Sequence, residues 1–228
     1  MRTIKYRHEY KIHINIGDYY IIRNRVKQIM KLDKHAKENG KYTIRSVYFD
    51  NLNDTSLFEK ISGINHREKF RIRFYNGDSS FILLEKKTKD NGLTAKQNTI
   101  LTKNECIQIL RGNIDWLNCR DEILLNELYV KMKNRLYRPK TIVDYMREAY
   151  TYSVGNVRVT FDSSIRSGLF STHIFNKNLP TVEVLDRNTL ILEVKFDEFI
   201  PDIIADIIQT GERQAKSVSK YALSRTFG

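Results

Sequence analysis

The sequence predicts an α+β protein: a closed antiparallel β-barrel of about eight strands with a charged interior and helices packed outside. Three observations lead there. Four apolar strand patterns carry charged residues two positions apart: Glu9-Tyr10-Lys11, Arg71-Ile72-Arg73, Glu85-Lys86-Lys87 and Glu193-Val194-Lys195. Side chains alternate between the faces of a strand, so residues i and i+2 share one face. In Phe70-Arg71-Ile72-Arg73-Phe74 the Phe-Ile-Phe face wants a core and the Arg-Arg face wants something else. Secondly, a solvated sheet with cross-strand Arg–Glu pairs would explain any one of these, but solvated faces usually mix in Thr, Ser and Gln. Four such strands imply charged faces that look at one another across a shared interior. Thirdly, the helical stripes Ile22, Val26, Ile29, Met30 and Leu124, Leu128, Met132 suit packing against the outside of strands.

Taken in order, the pattern predicts a strand at about 5–13, a helix at about 18–32, a strand at about 42–50 and a short helix at about 53–61. A strand pair follows at about 67–75 and 80–89, joined at Asn76-Gly77-Asp78, which is a hairpin turn signal. After a loop at Asn91-Gly92 come a strand to about Leu101 and helices near 102–110 and 121–134. Strands at about 140–152, 156–162, 181–186 and 189–197 precede helices near 201–209 and 216–225, with Pro201 suited to a first helical turn.

With 228 residues, ten glycines, three prolines and no linker, the chain is expected to form one domain over 1–228. The net charge of +12 points to an acidic partner: nucleic acid, an anionic surface or phosphate-rich molecules. No block of like charges forms a basic arm. Cys106 and Cys119 lack the company that a zinc site or disulfide framework needs. The N-terminal segment has no apolar signal core and no run approaches about 18 apolar residues, so a soluble cytoplasmic protein is expected. Gly-rich phosphate loops, Gly-x-Ser-x-Gly and His-Glu-x-x-His are absent, and none of the five histidines has a base-orienter context.

The inward candidates are Glu9, Lys11, Arg71, Arg73, Glu85, Lys87, Arg147, Arg158, Glu193 and Lys195. Arginine matches phosphate oxygens bidentately and lysine adds compact charge. A few carboxylates among many cations suit Mg²⁺ or Mn²⁺ when phosphate supplies the other oxygen ligands.

These residues resemble a known family, the catalytic domain of the vacuolar transporter chaperone (VTC) polyphosphate polymerase, within the CYTH-like triphosphate tunnel metalloenzymes. The resemblance runs along nearly the whole chain, through Arg7-His8-Glu9-Tyr10-Lys11, Ser46-Val47-Tyr48-Phe49-Asp50, Phe70 to Tyr75, Leu84-Glu85-Lys86-Lys87-Thr88, Tyr145-Met146-Arg147-Glu148-Ala149, Val157 to Asp162, Leu192-Glu193-Val194-Lys195 and Ser219-Lys220-Tyr221. It implies a tunnel holding ATP and inorganic polyphosphate with Mn²⁺ or Mg²⁺. By that resemblance Lys11, Arg71, Arg73, Lys87, Arg147 and Lys220 are triphosphate and product ligands, and Glu193 is the metal ligand, with Glu9 and Glu85 as further metal candidates. Lys60, Lys96, Arg158, Arg166 and Lys195 are additional substrate contacts; for Lys60 and Lys96 a solvated surface lysine is an equal reading. The wider superfamily opens with Glu-x-Glu-x-Lys, and here Arg7 replaces the first carboxylate. Water activation favours extra carboxylates, whereas a phosphate acceptor is already anionic, so Arg7 leans toward polymerase over triphosphatase. A non-catalytic polyanion-binding module is the third reading. No motif for specific nucleic-acid recognition appears. The sequence leaves oligomeric state open, as it does a separate membrane partner.

Overall fold

The computed structural model describes residues 5–33, 40–209 and 218–226. Strand β1 (Tyr6–Asn15) runs into helix α1 (Ile16–Ile29) through a reciprocal cap. Asn15 accepts from the Asp18 amide at 2.8 Å while the Asp18 carboxylate accepts from the Asn15 amide at 3.1 Å, satisfying two amides the helix leaves unpaired. The two-residue β2 (Lys31–Leu32), β3 (Lys41–Asp50) and α2 (Thr55–Ile61) follow. Strands β4 (Arg67–Tyr75), β5 (Asp78–Asp90) and β6 (Leu93–Leu101) form two successive hairpins. Their turns, Asn76-Gly77 and Asn91-Gly92, are left-handed at both positions, as a two-residue turn between twisted strands requires. The loop expected at Asn91-Gly92 is therefore a second tight hairpin.

Helix α3 (Lys103–Arg111) starts at a second reciprocal cap, Thr102 with Glu105, and α4 (Ile123–Asn134) follows. The long strands β7 (Arg138–Tyr152) and β8 (Val157–Ser167), the short β9 (Val182–Glu183), β10 (Thr189–Phe196), α5 (Asp202–Ile207) and α6 (Lys220–Ser224) complete the described chain. The expected strand at 156–162 extends to Ser167, the one at 181–186 shrinks to two residues, and the last helix is confined to Lys220–Ser224, with 216–217 outside the described residues.

Eight strands close into a ring in the order β7-β3-β4-β5-β6-β1-β10-β8, shut by the β8–β7 pairing, every pair antiparallel. The expected barrel with helices outside is the fold. The β6–β1 seam is its weakest joint, with two residue pairs, Tyr6–Ala95 and Arg7–Thr94. Strand alternation then does what the sequence demands. The outward apolar face of β4 and β5 (Phe70, Ile72, Ile82, Leu84) packs under α3 and α4 through Ile109, Leu125 and Leu128. On the other side Val159, Phe161, Leu192 and Val194 pack under α1 and α5 through Ile22, Val26 and Ile204. A third cluster lies inside the ring, where Tyr221 of α6 joins Tyr48, Val143, Ile165 and Ile191. Tyr221 stacks on Tyr48 with ring centroids 5.3 Å apart and donates to Asp50 at 2.7 Å, so α6 is anchored into one end of the barrel. Among the described residues no helix is long and apolar enough to cross a membrane.

Phe70 is fully buried and meets Tyr137 edge-on at 6.5 Å. Phe70→Ala is expected to cost about 3–5 kcal/mol in urea denaturation. Phe81→Ala, at a ring 46% exposed on the neighbouring strand, should stay within about 0.5 kcal/mol.

Candidate active site in the barrel lumen

Cross-strand register brings the charged residues together. Lys11 lies opposite Glu193 and Glu9 opposite Lys195 on β1–β10, Arg71 opposite Glu85 on β4–β5, and Arg147 opposite Asp162 on β7–β8. Directly opposed side chains stand close enough to pair, and all of these point inward. They enclose a cavity of about 480 Å³ lined by nine lysines and six arginines against three glutamates. That volume lies in the range of small-molecule sites.

Four carboxylates hold the cations in place. Glu9 accepts from Lys87 at 2.5 Å and Lys11 at 2.7 Å. Glu193 accepts from Lys195 at 2.6 Å, with Arg147 at 3.5 Å and Lys11 at 3.8 Å. Glu85 accepts from Arg71 at 2.9 Å and is ion-paired with Arg73 at 2.8 Å and with Lys96. Asp162, fully buried, takes both arms of the Arg147 fork at 2.6 and 2.7 Å and the Lys220 ammonium at 2.5 Å. Burial alone would raise these carboxyl groups. The surrounding cations outweigh it and hold Glu9, Glu85 and Glu193 well below the usual carboxylate range. The opposite happens where cations crowd: burial pushes Lys69, Lys87 and Lys96 down to about 7. Lys87 and Lys96 keep 37% and 40% of their side-chain surface open, so water in the lumen tempers that push.

Of the residues expected from sequence, Lys11, Arg71, Arg73, Lys87, Arg147, Lys220, Lys60, Lys96, Arg158, Lys195, Glu193, Glu9 and Glu85 line this one cavity. Arg166 does not. At Asp144–Met146 the β7–β8 register slips, Ser164 turns left-handed with φ 50°, and alternation inverts. Such a bulge shifts every later residue to the other face. Ile165 and Ser167 therefore face in, while Arg166 sits outside, bonded to Thr181 and Glu183. Sequence reading missed Asp162 as a site residue, although it shares parity with Arg158. It also missed Arg67, Lys69 and Lys89, which continue the alternations of Arg71-Arg73 and Glu85-Lys87. Arg7 stands at the rim, tied to Asp197 at 2.8 Å.

Among the described residues no group of three or more His, Cys, Asp or Glu side chains is placed to hold a metal. Glu9 and Glu193 do lie side by side, both within reach of Lys11 and Lys195. Two carboxylates fit a Mg²⁺-type ion that takes its other oxygens from phosphate and water. Glu85 stands apart from this pair, on β5 among Arg71, Arg73 and Lys96.

The VTC domain model matches residues 6–227. The chain belongs to the VTC domain family. No curated relative matches it by sequence. Among solved structures, a candidate adenylyl cyclase from Hippeastrum, described as having a dominant triphosphatase activity, is 12% identical over 97% of this chain and 96% of its own, with TM-score 0.54. A candidate adenylate cyclase from Bacillus halodurans is 12% identical over 84% and 81%, with TM-score 0.48. A Pyrococcus horikoshii protein is 13% identical over 89% and 84%, with TM-score 0.42. The Hippeastrum likeness supports the tunnel fold of this VTC domain.

The lysines near neutrality give the VTC domain a testable pH dependence. Below about pH 7 Lys69, Lys87 and Lys96 are charged, and above it they lose charge. Affinity for metal-free tripolyphosphate should therefore fall by about tenfold or more between about pH 6 and pH 8, with net proton uptake on binding. Calorimetry in two buffers of different ionisation enthalpy measures both. A flat profile without proton uptake would place these groups far from neutrality.

Proposed function

We propose that this chain, as one VTC-type tunnel domain spanning residues 1–228, is a polyphosphate polymerase that transfers the γ-phosphate of ATP onto inorganic polyphosphate. The observation that carries the reading is the occupancy of the lumen carboxylates. Glu9, Glu85, Asp162 and Glu193 are each engaged by two or more cations and held ionised or fully buried, so that among the described residues no lumen carboxylate stands free of cations to deprotonate water. An acceptor phosphate needs no such base. Its terminal oxygen is already anionic; it forms the new bond to the γ-phosphorus as the bond to the β-bridging oxygen breaks, and ADP leaves with the electron pair. The obstacle is repulsion between two anions, and clustered cations lower it through positioning and electrostatic stabilisation.

In this reading Lys11, Arg71, Arg73, Lys87, Arg147 and Lys220 bind the reacting phosphates, with Lys60, Lys96, Arg158 and Lys195 as further contacts. Arg166 has no part, since it lies on the outer face. Glu193 and Glu9 would hold Mn²⁺ or Mg²⁺, which supplies Lewis-acid neutralisation of phosphate charge when bound. The activity described for the Hippeastrum fold neighbour supports a second reading, hydrolysis of a triphosphate.

Incubation with ATP and Mn²⁺, with products resolved by size, separates the readings. Chains longer than the donor triphosphate are expected. Inorganic phosphate alone would make the protein a triphosphatase, and no product would leave a binding module. Glu193→Gln should lower turnover by about 10²-fold, the scale of losing one electrostatic stabiliser, while metal-free anion binding survives or tightens. Arg73→Ala should do the reverse and weaken anion binding directly. Intact metal-dependent turnover in Glu193→Gln would move the metal site to Glu9.

A further inference from the structure

A second cavity lies outside the barrel wall. It measures about 420 Å³, within the range of small-molecule sites, and sits where the outer faces of β3, β4, β7 and β8 meet the loop that follows β8. Strand alternation separates it from the lumen: Asp144 and Met146 line the outer cavity, while their neighbour Arg147 lines the inner one. Its floor is apolar. Phe74, Met146, Ile174 and Phe175 contribute to it, and the rings of Phe74 and Phe175 stack with centroids 5.7 Å apart.

The walls of this cavity are built from paired groups. Arg45 gives two nitrogens of its fork to Asp144, at 2.8 and 2.7 Å. Its third nitrogen donates to the Ile174 and Asn176 carbonyls, which fixes the loop segment that carries Phe175 and Lys177. On the far side the β7–β8 slip and the left-handed Ser164 bring Arg166 to the cavity edge, where Thr181 and Glu183 hold it. Bulges and left-handed residues other than glycine concentrate beside binding sites. The remaining charge is one-sided. Asp144 balances Arg45 and Glu183 balances Arg166, which leaves Lys103, the first residue of α3, and Lys177. Among the described residues neither lysine has a carboxylate at ion-pair distance. Lys103 Nζ lies 5.4 Å over the Phe175 ring, so cation and aromatic floor adjoin.

From this juxtaposition we infer that the outer cavity binds an amphipathic organic anion: an aromatic or branched aliphatic body on the Phe74–Phe175 floor, with a carboxylate or phosphate ester reaching Lys103 and Lys177. An inorganic phosphate chain has no apolar body and gains nothing from that floor, so this ligand class differs from that of the lumen. The inference is independent of the reaction the lumen performs.

The test uses the full chain with excess tripolyphosphate to occupy the lumen, and 1-naphthalenesulfonate as the probe. Of the described methionines, Met146 lines the outer cavity, whereas Met30 and Met132 are buried in the core. In methyl-labelled methionine NMR the Met146 signal should shift saturably, with one probe per chain, while those of Met30 and Met132 hold still. Sulfate and 1-naphthalenemethanol, each with half of the probe's chemistry, should bind at least about tenfold more weakly. Lys103→Gln/Lys177→Gln should weaken the probe about tenfold and Lys103→Arg/Lys177→Arg should restore it. Both positions are exposed, so the thermal midpoint should hold. Thr43→Trp, at an exposed residue on the cavity wall, should fill the space and abolish the Met146 shift. Should that variant fail to fold, the lysine variants decide. 1-Naphthoate and 1-naphthyl phosphate should compete, and the stronger of the two selects the head group. A Met146 shift that is absent, or that is seen only without tripolyphosphate, would overturn the proposal. Equal affinity in the Gln and wild-type chains would do the same. Displacement of the probe by an acidic peptide containing phenylalanine, at about a tenth of the concentration that 1-naphthoate needs, would make a peptide the occupant and overturn it as well.

Discussion

Ionised groups enclosed in a protein are costly unless opposite charge or solvent compensates them, because removing a lone charge from water carries a large desolvation penalty. That constraint shapes this barrel. Nine lysines and six arginines line one cavity, and four carboxylates are spaced around it so that each serves two or more cations. The carboxylates arrive by register: Glu9 and Glu193 from neighbouring strands, Glu85 beside Arg71, Asp162 beside Arg147. They keep the arginines oriented and charged while the lumen is empty.

Much of the fold was legible because two periodicities are written cleanly. Strict alternation in Phe70–Phe74 and Leu190–Phe196 fixes which face meets the helices, and the three-to-four spacing of Leu124, Leu128 and Met132 fixes the opposing stripe. Tight turns were readable where Asn-Gly demands left-handed backbone, at 76–77; the same dipeptide at 91–92 carried the same instruction. The ends of short elements were not readable. Strand β9 and helix α6 owe their limits to tertiary partners, such as Ser167 donating to the Ser224 carbonyl, which no local pattern announces.

The site was legible wherever alternation held. Thirteen expected residues reach the cavity because parity along β1, β4, β5, β7 and β10, together with the family resemblance, named them. Arg166 failed for a definite reason: Ser164 is an ordinary residue in sequence, and nothing there reveals that it will take a left-handed conformation and invert the strand. Parity also assigns Asp162, two steps beyond Arg158 with Thr160 between them, and Lys69, which with Arg67 extends the Arg71-Arg73 row toward the start of β4.

The ring's eight joints are unequal in kind. Seven are backbone ladders of five or more residue pairs, and the β6–β1 seam has two. Across that seam runs the pair Lys87–Glu9, reaching from β5 over β6 to β1. The circumference at this point is therefore laced by side chains more than it is stitched by peptide groups. Whatever draws the Lys87 ammonium away from Glu9 also unties part of the lacing, so the girth of the barrel and the charge of its contents are mechanically one variable.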